Sequence, residues 1–485
     1  MTIGSALNNA LSGLNAASRG VELVSSNVAN ASTPSYGRRE LSLTSRTLGT
    51  AGAGVQVAGV TRVVDQALLT DRRIANAAAG STGVAAKFHA ALEGALGTPD
   101  SQGALSQLVD AFDASLLQAA SMPNSDARLA SVLNQAQRIT QQFHSVSNLI
   151  QATRTGAEQA IAHQVGQLND ALDRVATMNR QIRSETAAGH DASALMDQRQ
   201  QLIDQISDVV PILEISRDHN QVALFTTGGA MLQDGQTARF GFTPVSLVTA
   251  DMTLASGALS GLTLNGRDIA TDGGARLIAG GTLAAQFELR DGLAPTAQAQ
   301  LDGLARDLIE RFADPSVDPT LAPGDPGLFT DAGVAVDPTL EAGLAGRIAV
   351  HGAVVPEFGG ALWRLRDGIG ATVPGPVGNA AILNAMETAL GAPRAAVSGG
   401  LSNSAIGFGA QTADLLSRVG TNRQNAEGAA SYAAARSDTL QTLMLEKGVD
   451  TDQEMQKMLI LEQAYGANAK VLQTLGGLLD QLLQI

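Results

Sequence analysis

Apolar or small residues recur at alternating steps of four and three along both ends of this chain, more than four hundred residues apart. The first run is Ile3, Leu7, Ala10, Leu14, Ala17, Val21, Val24 and Val28, and the second is Met458, Leu461, Tyr465, Asn468, Leu472, Leu475, Leu479 and Leu482. This is the a/d spacing of helices that pack as coiled coils. It predicts a terminal helical module, 1–32 paired with 450–485, with everything between looped out. A two-helix unit buries one side of each helix, so its remaining Ala- and Val-rich surface is expected to meet neighbouring molecules, and both runs are read as assembly seams. Asn468 is the single polar residue of its seam, a type that sets register and partner number.

Composition narrows the class. The 485 residues are 44% hydrophobic but only 3% aromatic, which suits long helices with thin cores. A net charge of −14 argues against nucleic acid and anionic membrane as partners. Cysteine is absent, which excludes disulfides, thiolate metal sites and cysteine nucleophiles. The histidines at 89, 144, 163, 190, 219 and 351 form no His-x-x-x-His pair, and no phosphate loop, dinucleotide fingerprint or Gly-x-Ser-x-Gly elbow occurs. No catalytic residue, metal, cofactor or small-molecule ligand is expected. The opening lacks the charged and apolar regions of a secretory signal, and no apolar run approaches the roughly 20 residues of a membrane span.

The chain reads as α+β, mainly α. A first helix is expected from Ile3 to Ala29, ended by Thr33-Pro34-Ser35-Tyr36-Gly37, then strands or an extended arm from Leu41 to Val60. Heptad seams at Leu129, Val132, Ala136, Ile139, Phe143, Val146 and Ile150, and at Ile161, Val165, Leu168, Leu172, Val175 and Ile182 with polar Asn179, predict a long antiparallel bundle. Leu195, Leu202, Ile206 and Val209 add a third stripe before Pro211. Arm and bundle comprise 33–210, 273–312 and 398–449. Residues 211–272 form a β-rich insert in which Asn265-Gly266 signals a hairpin, and 313–397, rich in Pro and Gly, form a separate loop- and β-rich insert. A helix is expected from Thr282 to Phe312. Leu-Arg-Asp-Gly occurs at 289–292 and 365–368, either by coincidence or as a shared helix-ending turn. Thr451-Asp452-Gln453-Glu454 reads as a capping box, with Thr451 and Glu454 as the helix cap.

Several motifs carry a resemblance. Ser26-Asn27-Val28-Ala29-Asn30, then Thr33-Pro34-Ser35-Tyr36 and Arg38, resembles the N-terminal signature of the bacterial flagellar rod, hook and hook-associated axial proteins, with Asn27, Asn30, Thr33, Tyr36 and Arg38 as the family motif. Gln463-Ala464-Tyr465, Ala467-Asn468 and Lys470-Val471-Leu472-Gln473-Thr474 resemble the closing signature of the same group. Leu195-Met196-Asp197-Gln198-Arg199 through Val210, and Gly448-Val449-Asp450, point to the hook-associated branch. Ser35 departs from the Gly common before the aromatic residue.

The resemblance implies a structural subunit at the junction between hook and filament, needed for filament assembly and motility. The implied partners are copies of itself in a ring, the hook protein, a second junction protein on the filament side, and a cytoplasmic export chaperone on the C-terminal helix. It also implies an extracellular position, reached by type III export without signal cleavage, and terminal helices that order on assembly. Two alternatives stand beside it: another axial subunit of hook or distal rod, and a hydrolase carried on an insert.

Overall fold

The structure, a computed structural model, describes residues 3–33, 35–48, 51–98, 100–101, 103–272, 277–401 and 404–483. Pro34, assigned above to the break after the first helix, lies outside them. In chain order come α1 (Ile3–Ala29), the antiparallel hairpin β1 (Arg38–Leu48) and β2 (Ala51–Val63), α2 (Gln66–Leu96), α3 (Leu105–Ser121), α4 (Asp126–Ala187) and α5 (Ser193–Val209). Next are β3 (Ile212–Ser216), β4 (Val222–Thr226), β5 (Met231–Asp234), β6 (Gln236–Thr237), β7 (Phe240–Gly241), β8 (Leu262–Leu264) and β9 (Arg267–Ile269), forming one four-stranded and one three-stranded antiparallel sheet. The chain closes with α6 (Thr282–Glu288), α7 (Ala294–Phe312), the pair β10 (Phe329–Asp331) and β11 (Ile348–Val350), α8 (Arg364–Asp367), α9 (Ala381–Gly391), α10 (Phe408–Glu446) and α11 (Thr451–Leu483).

The two heptad seams predicted for 126–187 lie on one uninterrupted helix rather than on helices packed together. At 62 residues, α4 is roughly 90 Å long. The residues between the seams hold no proline to break it, and Arg154, Ala157 and Glu158 are buried there. α5 folds back along α4, after Gly189 takes a left-handed φ of 79°. Each seam serves a different core. Leu129 to Ala157 pack with α3, α7, α9 and the start of α10, whereas Ile161 to Val175 pack with α5, α6 and the two small sheets.

The segment 313–397 is not a separate insert. Val317, Leu321, Leu328, Phe329, Leu344, Ile348, Val354 and Leu365 belong to the first core, and the Phe329 ring lies 5.8 Å from Phe112 and 5.2 Å from Phe312. Before α9, its low periodicity follows from short turns and strands that each send one or two apolar residues into the core; α9 adds Ile382, Leu383, Met386 and Leu390. Asn265 and Gly266 do form the tight hairpin, with φ of 52° and 78° as a type I′ turn requires. The helix expected over 282–312 contains a π turn at Leu289–Leu293, so the first Leu-Arg-Asp-Gly sits inside a helix and the second ends one. What they share is an arginine bent onto the next residue, Arg290 on Asp291 at 2.7 Å and Arg366 on Asp367 at 2.5 Å.

Two antiparallel helix pairs complete the chain. α2 lies against α10, held by Asp65–Lys447 at 3.0 Å, Asn76–Ser437 at 2.6 Å and Glu93–Arg423 at 2.6 Å. α1 lies against α11, and the β1–β2 hairpin folds back along α1, where the Ser12 hydroxyl accepts from Val55 N at 3.2 Å.

Because Phe329 fills the helical core, Phe329→Ala is expected to lower the stability of the helical body by about 3–5 kcal/mol. Helical circular dichroism should show one transition at lower denaturant, whereas an independently folded insert would leave that transition in place.

Candidate assembly interface

The α1–α11 pair is set by glycine, then locked by an amide. A Cβ at Gly13 would stand 2.8 Å from the Asn468 side chain, and one at Gly20 would stand 2.8 Å from the Leu461 Cδ2. Glycines seven residues apart therefore let the helix axes approach, with Asn468 and Leu461 filling the space. One further heptad along, Asn27 is 1% exposed and makes four side-chain hydrogen bonds. Its Nδ2 donates to Arg39 O and to Glu454 Oε2, both at 2.9 Å. Its Oδ1 accepts from the Tyr36 hydroxyl at 2.9 Å and from Arg39 N at 3.0 Å. One side chain thus binds α1, the turn, β1 and α11 together.

Glu454 is buried as well, and its other oxygen accepts from Lys457 Nζ at 2.8 Å and lies 3.6 Å from Arg38 Nη1. Burial pushes its carboxyl upward, but the Asn27 hydrogen bond and the Lys457 and Arg38 charges outweigh this and hold it below its ordinary 4.5. The capping box is therefore corrected. Asp450 caps α11, its Oδ1 accepting from Asp452 N and Gln453 N at 2.9 and 3.1 Å, while the Glu454 side chain is drawn away to Asn27.

The turn after α1 is fastened to the body by two carboxylates one heptad apart on α5. Asp197 accepts from Gly37 N at 3.0 Å and pairs with Arg39 at 3.0 Å and Arg62 at 2.7 Å. Asp204 pairs with Arg72 at 2.5 Å and Arg73 at 2.6 Å and accepts from the Ser35 hydroxyl at 3.2 Å, and Arg73 also reaches Glu214 at 2.7 Å. Ser35 has φ 65°, the left-handed geometry that glycine adopts freely. The turn thus keeps the geometry of a glycine turn, and the serine adds the bond to Asp204. The Arg39 guanidinium also stacks 5.0 Å over the Tyr36 ring.

The expected seam residues distribute unevenly. In α1 the buried residues are Ala10, Ala16, Ala17, Gly20, Leu23, Val24 and Asn27, so Val24 lies inside whereas Ile3, Leu14, Val21 and Val28 are half-buried and Leu7 is exposed. In α11 Met458, Leu461, Asn468, Leu472 and Leu475 are half-buried along the edge facing α1, and Tyr465, Leu479 and Leu482 are exposed. Asn468 donates to Ala464 O of its own helix at 2.9 Å, so the polar lock between the helices is Asn27–Glu454. Ile460 (65% exposed), Val471 and Leu478 share a second, outward apolar face, and Met455 and Leu459 (57%) are exposed on another. In the motif, Asn30 donates to Ser26 O at 2.9 Å and accepts from Thr33 Oγ1 at 3.3 Å, closing the helix end, and Arg38 pairs with Glu40 at 2.8 Å.

Of the third stripe, Ile206 lies in the second core with Leu202 and Val209 half-buried against it, whereas Leu195 is half-buried outside it. Among the residues buried on α5 are Ile203 and Ile206, which enter the second core, and Asp197 and Gln200, which meet the arginines. Arg62, Arg72 and Arg73 went unnoticed in the sequence. The adjacent Arg72-Arg73 and the Asp197–Asp204 heptad spacing were the available signals. Among the described residues no group of three or more His, Cys, Asp and Glu is placed to hold a metal ion.

Three family models match the chain. The flagellar hook-associated protein FlgK helical domain matches residues 90–316, the flagellar basal body rod FlgEFG protein C-terminal region matches 444–485, and the flagella basal body rod protein matches 7–36. Flagellar hook-associated protein 1 of Salmonella typhimurium is 29% identical over 242 residues, 48% of this chain and 43% of that protein. Its counterpart in Escherichia coli K12 is 28% identical over 244 residues, 48% and 44% respectively. The chain thus spans under half the length of these relatives. That of Bacillus subtilis is 24% identical over 512 residues, 98% of this chain and 97% of that protein. The solved flagellar hook junction protein FlgK from Burkholderia pseudomallei is 17% identical, covering 54% of this chain and 46% of that one, with a TM-score of 0.45.

Two outcomes test the interface. Asp204→Ala takes the carboxylate partner from buried Arg72 and leaves Arg73 with Glu214 alone, and should cost on the order of 3–5 kcal/mol, read as a lower urea midpoint. Glu454 is held below 4.5, so its stabilising share is complete above that pH and is lost as pH falls through its folded value. Amide protection of α1, corrected for intrinsic exchange, should drop on acidification below about 4.5, and Glu454→Gln should remove that dependence.

Proposed function

We propose that this chain, a member of the flagellar hook-associated protein 1 family, is the structural subunit that joins hook to filament and supports filament assembly and motility. The observation that carries this reading is the coincidence of the two axial-protein signatures, at 7–36 and 444–485, with the two helices that pair, while the hook-associated helical domain falls on the body between them. The function is mechanical. The terminal pair packs lengthwise against neighbours through the apolar face that α1 leaves uncovered, and the two-core body forms the outer wall.

The partners follow from that role. Copies of this chain form the ring, hook protein lies on one side and a second junction protein on the other, and an export chaperone shields α11 before assembly. The site of action is extracellular, at the hook–filament junction, and export proceeds without signal cleavage. Among the described residues no third helix covers α1 and α11, and Glu454 is the one buried residue of α11. Such a pair takes its stability from packing, and neighbours in the tube offset the entropy of ordering it. The seam residues and the division into 1–32 with 450–485, a bundle and a β-rich region belong to this proposal too.

Two substitutions test it in a motile host. Ile460→Asp, on the outward face, should leave monomer melting unchanged and the subunit exported, yet stop filament growth. Leu472→Asp, on the edge facing α1, should stop filaments and also raise protease sensitivity of both ends. Normal filaments with Ile460→Asp would remove the outward face from the assembly contact.

A further inference from the structure

Arg199 stands apart in the arginine cluster that fastens the terminal pair to the body. It is 4% exposed, and its Nη1 donates to two neutral oxygens, Asn179 Oδ1 and Asn220 O, both at 2.7 Å. Among the described residues it forms no ion pair, because the neighbouring carboxylates are engaged elsewhere. Asp197 serves Arg39 and Arg62, Asp204 serves Arg72 and Arg73, and Glu214 serves Arg73. Four guanidiniums thus share three carboxylates, and Arg199 adds a further buried cation. Burial pulls its pKa down to about 10, with Glu214 opposing and Arg62 and Arg73 adding to the fall, so it keeps its charge at neutral pH. An unpaired buried charge is costly, and a counterion relieves the cost where there is room for one.

There is room. Beside Arg199 lies a cavity of about 100 Å³, lined by Arg62, Arg199, Gln200, Glu214, Arg217 and Asn220 among others. Arg62 is 7% exposed at its side chain and spends its Nε on Asp197 and its Nη2 on Gln200 and Ser35 O. Arg217 sits at the rim, its side chain 44% exposed and paired with Asp234 at 2.6 Å. We propose that this cavity binds a small inorganic anion, of the chloride-to-phosphate class, held by Arg199 with Arg62 and Arg217. The volume matches an anion of that size, and Glu214, shared with Arg73, limits the affinity by its own charge. Such an anion would tighten the collar between α5, the β1–β2 hairpin and β3–β4 and so add to the stability of the native state. The site is independent of any role in filament assembly.

The test is thermal melting of the full chain against inorganic phosphate, at an ionic strength fixed with sodium gluconate. Wild type should rise in Tm along a saturating curve. Arg217→Gln, a rim change that leaves the buried network intact, should move half-saturation to several-fold higher phosphate. Glu214→Gln should move it lower, because a competing negative charge is gone, and this opposite sign distinguishes the site from general destabilisation. A Tm that does not rise, rises in proportion to phosphate without saturating, or rises identically in all three proteins would overturn the proposal.

Discussion

The four hydrogen bonds of Asn27 are the constraint on which the rest of the terminal region depends. A buried primary amide is tolerated only when its donors and acceptor are all satisfied, and here the two donors and the acceptor find partners on α11, β1 and Tyr36. The geometry of that set fixes three things together: the register of α11 on α1, the direction of the chain after Thr33, and the start of β1. An apolar residue at 27 would pack, but it would specify none of them. Gly13 and Gly20 then permit the same register to continue along the pair by letting the backbones approach.

From that point the load path into the body is ionic. Asp197 and Asp204 lie on one face of α5, and each holds two guanidiniums from segments distant in sequence. α5 is in turn tied to α4, where Asn179 binds both Arg199 and the β4 backbone at Val222. α4 carries the connection through both cores, with buried Glu158 pairing with Arg290 where one core gives way to the next. A continuous helix of roughly 90 Å thus runs through both cores and is packed along its length.

Much of this was legible in the residues. The seams of α4, the β1–β2 arm, the Asn265-Gly266 hairpin and the helical terminal runs all follow from local periodicity or turn chemistry. The errors share a cause. Thr451-x-x-Glu454 has the spacing of a capping box, but Asp450 is an equally good local acceptor, and Glu454 was claimed by an amide more than four hundred residues away. Residues 313–397 looked like an insert because, ahead of the short helix α9, each turn contributes one or two apolar side chains, and no periodicity announces a core built that way. The stripe on α5 carries part of the second core, but no periodicity shows that Asp197 on the same helix is buried against arginines.

Periodicity is a property of one segment, so the sequence by itself determined which stretches are helices, where α11 and α1 carry apolar edges, and which family the ends resemble. Whether two seams occupy one helix or two, which edge of a helix is covered, and which carboxylate meets which arginine were decided only by the tertiary structure. Those outcomes depend on contacts between residues far apart in the chain, where burial sets the cost of leaving a charge or an amide unpaired.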